Sequence, residues 1–172
     1  MAIAIRIDEL TKGPVERIDT FDMGWCDSNL SKIYKFETDE VTVNFRAIQT
    51  AEIVAVEARL EAGFGFECSR CVMPSSLEVD TRFVHHYVAP GKLDVTASEE
   101  QHDELASDPD ISEHTGSEID LHPLCVEHII LALPNYPLCS ESCKGLCSQC
   151  GVNLNKEQCD CSVGLDPWSP WT

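Results

Sequence analysis

The sequence predicts an α+β protein: a mostly antiparallel β-sheet, a short helix packed on it, and a C-terminal Cys-rich zinc-binding module. Three observations predict this architecture. Apolar and polar side chains alternate in several segments up to about residue 92, one apolar helical segment follows near residue 125, and six of the ten cysteines lie within residues 139–161. Alternation is typical of strands with one exposed face, and clustered thiols are typical of metal sites.

The strands are predicted from the period of the apolar positions. In 52–62, EIVAVEARLEA, every second residue is apolar, and the intervening residues are mostly charged. Residues 41–45 and 76–84 alternate in the same way, and MAIAIRIDEL does so at the start of the chain. The motif CSRC at 68–71 therefore lies in a turn between two antiparallel strands, with Pro74 restricting the exit from it.

An acidic stretch follows the strands, because residues 94–120 contain ten Asp or Glu and no Lys or Arg. We expect a solvated, flexible insertion here, and the alternative is an acidic surface that docks a basic partner. The next residues, DLHPLCVEHIILALP, predict a short, mostly buried helix. Asp120 is suited to cap it, Pro123 to occupy its first turn and Pro134 to end it.

The domain organisation predicted from these segments has two parts. Residues 1–138 form a β-rich domain that carries the acidic insertion, and residues 139–172 form a zinc-binding module attached to the turn at 68–71. The longest apolar run is far shorter than the roughly 20 residues of a bilayer-spanning helix, and the first residues lack the basic start of a signal peptide. We therefore expect a cytoplasmic protein with no membrane partner, in which thiols stay reduced.

The formal net charge of −18, with only 12 Lys and Arg, argues against a wide nucleic-acid-binding surface. A basic protein partner fits such a charge better, and any RNA contact would be local or indirect. The chain contains no G-x-S-x-G, no H-E-x-x-H and no phosphate-binding glycine loop, so we expect no enzymatic activity.

Eight cysteines divide by spacing into two candidate zinc sites. CSQCG at 147–151 is a knuckle that Cys159 and Cys161 complete across a short loop, which costs little closure entropy. A second pair then remains in the C-terminal segment, and the CSRC pair is its natural complement. The predicted sites are Cys147, Cys150, Cys159 and Cys161, and Cys68, Cys71, Cys139 and Cys143.

Other interpretations of the thiols stay open. Disulfides, an iron–sulfur cluster and a redox-sensing zinc site are the alternatives, although the spacing matches neither ferredoxin pattern. Cys26 and Cys125 have no partner at metal-ligand spacing, and the same holds for the histidines His85, His86, His122 and His128. We interpret these six residues as structural.

Several motifs together resemble the YceD family, the large ribosomal RNA subunit accumulation proteins. They are CSRC at 68–71, the helix segment EIDLHPLCVEHIILALP, and PLCxxxCKGLCxxCGxNLNxxxCxC at 137–161. The resemblance covers about residues 50–161. It implies a factor for synthesis, processing or stability of large-subunit ribosomal RNA. Some members of the family lack the last four cysteines while CSRC and the pair matching Cys139 and Cys143 stay metal-competent, and this supports the division into two sites.

The resemblance assigns no catalytic residue, so two binding functions compete. The first is a non-enzymatic assembly factor that holds a basic ribosomal protein or a large-subunit assembly intermediate. The second is direct RNA binding through a local patch made of Arg59, Arg70 and Arg82 with Lys144 and Lys156.

Overall fold

The long strands of the protein follow the alternation of its sequence. The computed structural model describes residues 3–22, 33–36, 40–93, 110–114 and 116–161. The elements are β1 (Ala4–Arg6), α1 (Ile7–Leu10), β2 (Val15–Asp22), β3 (Tyr34–Phe36), β4 (Glu40–Thr50), β5 (Ile53–Glu67), β6 (Pro74–Val88), β7 (Ile111–Glu113), β8 (Glu118–Asp120) and α2 (His122–Ala132).

The main sheet has six strands in the order β2-β4-β5-β6-β7, with β3 also paired to β5. Its pairs are antiparallel except for β6 and β7, which run parallel. The 15-residue strand β5 is long enough to pair β4 along its first part and β3 near its end. β1 and β8 form a separate two-stranded antiparallel sheet. The predicted α+β class, mostly antiparallel with a short helix, is confirmed.

The alternation of β5 divides the sheet into a buried face and an open face. Val56 and Leu60 are fully buried, whereas Glu57, Arg59 and Glu61 point to the other side. Charged side chains stay hydrated on the open face, so the apolar face alone carries the core. The largest fully buried side chains of the core are Phe45, Phe64, Ile5, Leu60, Ile119, Leu121 and Ile129.

Helix α2 packs on β6 and closes one side of this core. Its buried residues are Cys125, Val126 and Ile129, and the ring of His128 stacks on Phe83 with centroids 4.1 Å apart. The predicted cap differs in detail, because Leu121 occupies the N-cap position. The Asp120 carboxylate instead accepts a hydrogen bond of 3.0 Å from the backbone N–H of His122.

Two predicted segments have a different structure. The end of the predicted flexible insertion forms β7 and β8, because Ile119 is buried and the two strands pair with β6 and β1. The first strand ends at Arg6, and the chain turns into the short helix α1, whose end is tied by a hydrogen bond from Thr11 Oγ1 to the Asp8 carbonyl.

Residues 94–109 and 115 of the insertion, the 162–172 tail and Cys26 lie outside the described residues.

Within the described residues, no helix is both long and apolar enough to cross a bilayer.

Candidate metal centres

The turn between β5 and β6 presents two buried thiols side by side. Cys68 donates its backbone N–H to Met73 O at 2.9 Å, and Val72 donates to Cys68 O at the same distance. These bonds close a tight loop in which Val72 has a φ of 57°. Cys68 and Cys71 are 1% and 3% exposed, so the turn points both thiols inward rather than at solvent. The predicted position of CSRC is confirmed.

The C-terminal segment docks on this turn through its backbone. Ser69 N–H donates to Pro137 O at 2.9 Å, and Leu146 N–H donates to Arg70 O at 3.1 Å. The Arg70 guanidinium adds a third bond, from Nη1 to Cys143 O at 3.1 Å. Three hydrogen bonds therefore hold together two segments that are separated by about seventy residues of sequence.

This docking brings four sulfur atoms together. The Sγ atoms of Cys68 and Cys143 are 3.8 Å apart, and those of Cys71 and Cys139 are 3.6 Å apart. All four lie within 4.8 Å of one another. Four soft donors at this spacing form a group that could hold one metal ion, which we call the hairpin site.

A second group lies wholly in the C-terminal segment. Cys147, Cys150, Cys159 and Cys161 also have Sγ atoms within 4.8 Å of one another, and we call this group the loop site. Cys147 N–H donates to Val152 O at 2.8 Å, and Gly151 N–H donates to Cys147 O at 2.9 Å. These bonds form the knuckle that the CSQCG spacing predicts. The loop site is more exposed than the hairpin site, with Cys150 at the surface.

The local electrostatics of the hairpin site lower the pKa of one thiol, Cys68, and raise the pKa of another, Cys139. Burial raises the pKa of Cys68, but hydrogen bonds from the backbone N–H groups of Cys139 and Arg70 outweigh it and lower the pKa to about 6. The sulfur atoms of Cys143 and Cys71 raise the pKa of Cys139 to about 12. Thiolates packed this closely repel one another, so a cation at their centre is what allows all four to ionise.

The loop site repeats this pattern. Backbone N–H groups of Cys150 and Gln149 lower the pKa of Cys147 to about 6, whereas the Cys150 sulfur raises the pKa of Cys161 to about 12. Backbone donors aimed at a ligand sulfur are a usual supporting feature of thiolate metal sites. Both groups therefore have the donor chemistry of a metal site.

All eight predicted ligand residues fall into these two groups, with the same division that the spacing predicts. The described cysteines are free, so no pair of them forms a disulfide. Cys125 joins neither group: it is fully buried in α2, and burial raises its pKa to about 12. No histidine of the described residues joins either group.

Asn155 is a site residue that spacing does not identify. It lies in the loop that closes the loop site, yet its Nδ2 donates to the Sγ of Cys143 in the hairpin site at 3.4 Å. Its Oδ1 accepts the Lys144 N–H at 2.8 Å, and Nδ2 also donates to Asn153 Oδ1 at 2.9 Å. The sequence signal for this residue is the motif NLN at 153–155, which follows the knuckle CSQCG. Asn155 therefore connects the two groups.

We expect Asn155→Ala to weaken metal binding at the hairpin site by about 10- to 100-fold, because outer-shell donors to ligands have effects of this size. The measurement is competition of the metal-loaded protein with a colorimetric chelator. Asn44→Ala, on the open face of the sheet, is the matched control. Equal chelator resistance of the two variants would exclude a supporting role for Asn155.

Gly145 allows the close approach of the two segments of the hairpin site. Its φ is +75°, and a Cβ at this position would lie 3.1 Å from the Arg70 carbonyl oxygen. Gly151 has a similar φ of +73°, but a Cβ there would meet nothing within 4 Å. The two glycines have nearly the same φ, and they differ in what a Cβ at each position would contact.

Gly151→Ala is expected to lower the free energy of unfolding by about 1–2 kcal/mol, the cost of a left-handed residue with a side chain. Gly145→Ala should cost about 1 kcal/mol more, because the Arg70 carbonyl must also move. Urea unfolding of the metal-replete variants measures the difference. The explanation fails if Gly151→Ala is the more damaging of the two.

Comparison with protein families gives a match over most of the chain. The family model described as "Large ribosomal RNA subunit accumulation protein YceD" matches residues 56–170, which include all eight site cysteines. The chloroplastic YCED homolog 1 of Arabidopsis thaliana is 41% identical over 44 residues, which is 26% of this chain and 14% of that protein.

Two bacterial relatives match a longer part of the chain. An uncharacterized protein of Mycobacterium tuberculosis is 27% identical over 125 residues, which is 73% of this chain and 56% of the relative. One of Mycobacterium leprae is 26% identical over 128 residues, 74% and 55% of the two chains. The chain thus spans about half the length of these relatives. No solved structure matches it.

Proposed function

The chain belongs to the YceD family of large ribosomal RNA subunit accumulation proteins, and on this premise we propose that it is a non-enzymatic ribosome biogenesis factor. In this proposal it supports the synthesis, processing or stability of large-subunit ribosomal RNA. The observation that carries the proposal is the family match, which contains most of the β5–β6 hairpin and both groups of four cysteines.

We propose that each group of cysteines holds one zinc ion. Thiolates bound to zinc at ~2.3 Å in a tetrahedron are ~3.8 Å apart, and the pairs in the hairpin site are 3.6 and 3.8 Å apart. Soft sulfur donors suit zinc and do not suit magnesium or calcium. A zinc ion with four thiolate ligands has no position for water, so it supplies a cross-link rather than Lewis-acid chemistry.

The hairpin site then has a clear structural role in this proposal. It joins the turn at 68–71 to the segment at 139–143, and the loop site is carried on the same segment. The metal-loaded C-terminal segment becomes a rigid extension of the sheet, and Asn155 fixes its orientation through Cys143. A preorganised surface of this kind binds a partner at a lower entropic cost than a mobile one.

The charge of the protein supports a basic protein as the partner. The formal net charge is −18, and each zinc ion with four thiolates adds about −2. Such a field accelerates the encounter with Lys- and Arg-rich proteins and is screened by salt. We therefore propose that the chain binds a basic ribosomal protein or another assembly factor on the nascent large subunit.

Direct RNA binding by the predicted Arg patch has weaker support. Arg59 lies opposite Arg82 on the open face, but Asp80 binds the Arg59 guanidinium through two bonds of 2.7 and 2.8 Å. About 26 Å of strand separates Arg59 from the end of β5 at Glu67. Arg70 follows in the turn, where it binds Cys143 O. Arg70 therefore does not share a surface with Arg59 and Arg82.

The proposed function is tested by gradient sedimentation in the native host. Tagged wild-type protein should co-sediment with precursors of the large subunit at low salt and dissociate as salt increases. Deletion of the gene should lower large-subunit ribosomal RNA relative to small-subunit ribosomal RNA, which serves as the internal control. A ratio that does not change on deletion, together with no co-sedimentation, would contradict the proposal.

A further inference from the structure

The side of helix α2 that faces away from the sheet is apolar. Leu131 is 72% exposed and Ile130 is 40% exposed, and Tyr136 just after the helix is 81% exposed. A shallow, open groove of about 420 Å³ runs along this side of the helix, and all its lining residues belong to the helix itself: His122, Pro123, Val126, Glu127, Ile130 and Leu131. Five of these six positions carry no formal charge at neutral pH, with His122 counted as neutral. We call this surface the α2 groove.

This exposure differs from the mostly buried helix that the sequence predicts. One side of α2 buries Cys125 and Ile129 against the sheet, which already satisfies the ordinary packing of a surface helix. The opposite side of such a helix is normally polar. Adjacent exposed aliphatic side chains that line a groove are instead typical of a binding site for another macromolecule.

The charges near the α2 groove define the chemistry of what binds there. The described residues between 110 and 143 include six Asp or Glu and no Lys or Arg, and Glu127 is the only formally charged residue of the helix. The strand β8 just before it carries Glu118 and Asp120. On the neighbouring strand β1, the Arg6 guanidinium binds Asp8 at 3.0 Å. The groove is therefore apolar with acidic surroundings.

We propose that the α2 groove docks a Lys- and Arg-rich protein segment that also carries aliphatic side chains. This inference rests on the proposed function and assigns its basic partner to one surface. The aliphatic side chains of the segment bury Ile130 and Leu131, and its cations face the carboxylates of Glu127 and its surroundings. A phosphate backbone is disfavoured here, because no Lys or Arg is among the described residues that line the groove.

Binding of defined peptides to the zinc-replete full chain tests this surface. The probe is a labelled peptide of about 18 residues, long enough to form a helix, with Leu and Lys at helical spacing. A second peptide replaces every Leu by Ala and keeps the charge. Fluorescence anisotropy measures both, first at low salt and then with increasing salt.

We expect the Leu/Lys peptide to bind at least about tenfold more tightly than the Ala/Lys peptide, and Leu131→Lys to remove at least about tenfold of that affinity. Leu131 is largely exposed, so its replacement should leave folding intact. Ile18→Lys is the matched control, because Ile18 is 69% exposed and lies on β2. Equal losses in the two variants, or equal binding of the two peptides, would overturn the proposal.

Two further outcomes would also overturn it. Self-association of the wild-type protein that Leu131→Lys abolishes would make the groove a contact between two copies of this chain. Displacement of the peptide from the wild-type groove by single-stranded RNA, lost in Leu131→Lys, would make it an RNA site. Sedimentation equilibrium and competition anisotropy distinguish these results from docking of a basic segment.

Co-sedimentation of the variants separates this inference from the proposed function. If Leu131→Lys no longer co-sediments with the large-subunit precursors while Ile18→Lys still does, both the groove and the function are supported. If both variants co-sediment like wild type, the groove is the wrong surface and the function stands. If wild type itself does not co-sediment and deletion of the gene leaves the ribosomal RNA ratio unchanged, the proposed function fails, and the peptide affinities alone decide on the groove.

Discussion

Replacing Cys68 by serine is expected to remove the zinc ion of the hairpin site and to lower the free energy of unfolding by more than about 4 kcal/mol, because loss of a metal is among the few changes with effects this large. The effect is large because the hairpin site joins segments about seventy residues apart. Cys68 is 1% exposed, so the replacement also leaves a hydroxyl buried near the sulfur of Cys143. Urea unfolding followed by far-ultraviolet circular dichroism measures the change.

Cys147→Ser is the matched control for this experiment. It should also remove one zinc ion, but the loop site joins only residues 147–161, so its loss leaves the sheet and the hairpin intact. Limited proteolysis should then cut Cys147→Ser within the C-terminal loop and cut Cys68→Ser near residue 138, where the segment is released. Equal destabilisation by the two variants would contradict the different roles assigned to the two sites.

Phe64→Ala is expected to lower the free energy of unfolding by about 3–5 kcal/mol while both zinc ions stay bound. Phe64 is fully buried in β5, the strand that pairs with three others, and its ring contacts Tyr34 edge to face with centroids 6.0 Å apart. The lost volume cannot be refilled, because strand pairing on both sides fixes the backbone of β5.

Val84→Ala is the control for the core variant, because Val84 is 48% exposed on the open face of β6. It should change stability by no more than about 0.5 kcal/mol. A small effect of Phe64→Ala would mean that the sheet is not the main source of stability, and that zinc binding contributes most of it instead.

The parts of the fold that depend on local pattern were predictable. Alternation in 52–62 predicts the buried face of β5, and the spacing of CSRC between two alternating segments predicts a turn that presents two thiols. Both signals act over a few residues, because strand period and ligand spacing are set by local geometry. The division of eight cysteines into two groups follows from the same kind of reasoning.

The parts that depend on distant pairing were not predictable. The strands β7 and β8 have three residues each, too few to show a period. Alternation does predict a strand at the start of the chain, but tertiary contacts alone determine that β1 pairs with β8 and β7 with β6. Only the folded chain places Asn155 beside the Cys143 sulfur. The apolar period of α2 predicts burial but does not specify how many of its sides the domain covers.

Native mass spectrometry of anaerobically purified protein tests the claim that two tetrathiolate zinc sites hold the C-terminal segment in place. The expected mass is that of the chain with two zinc ions, and Cys68→Ser and Cys147→Ser should each retain one. A wild-type chain with a single zinc ion, or one that carries iron, would contradict the claim and leave reactive thiols or an iron–sulfur cluster as the explanation for the cysteines.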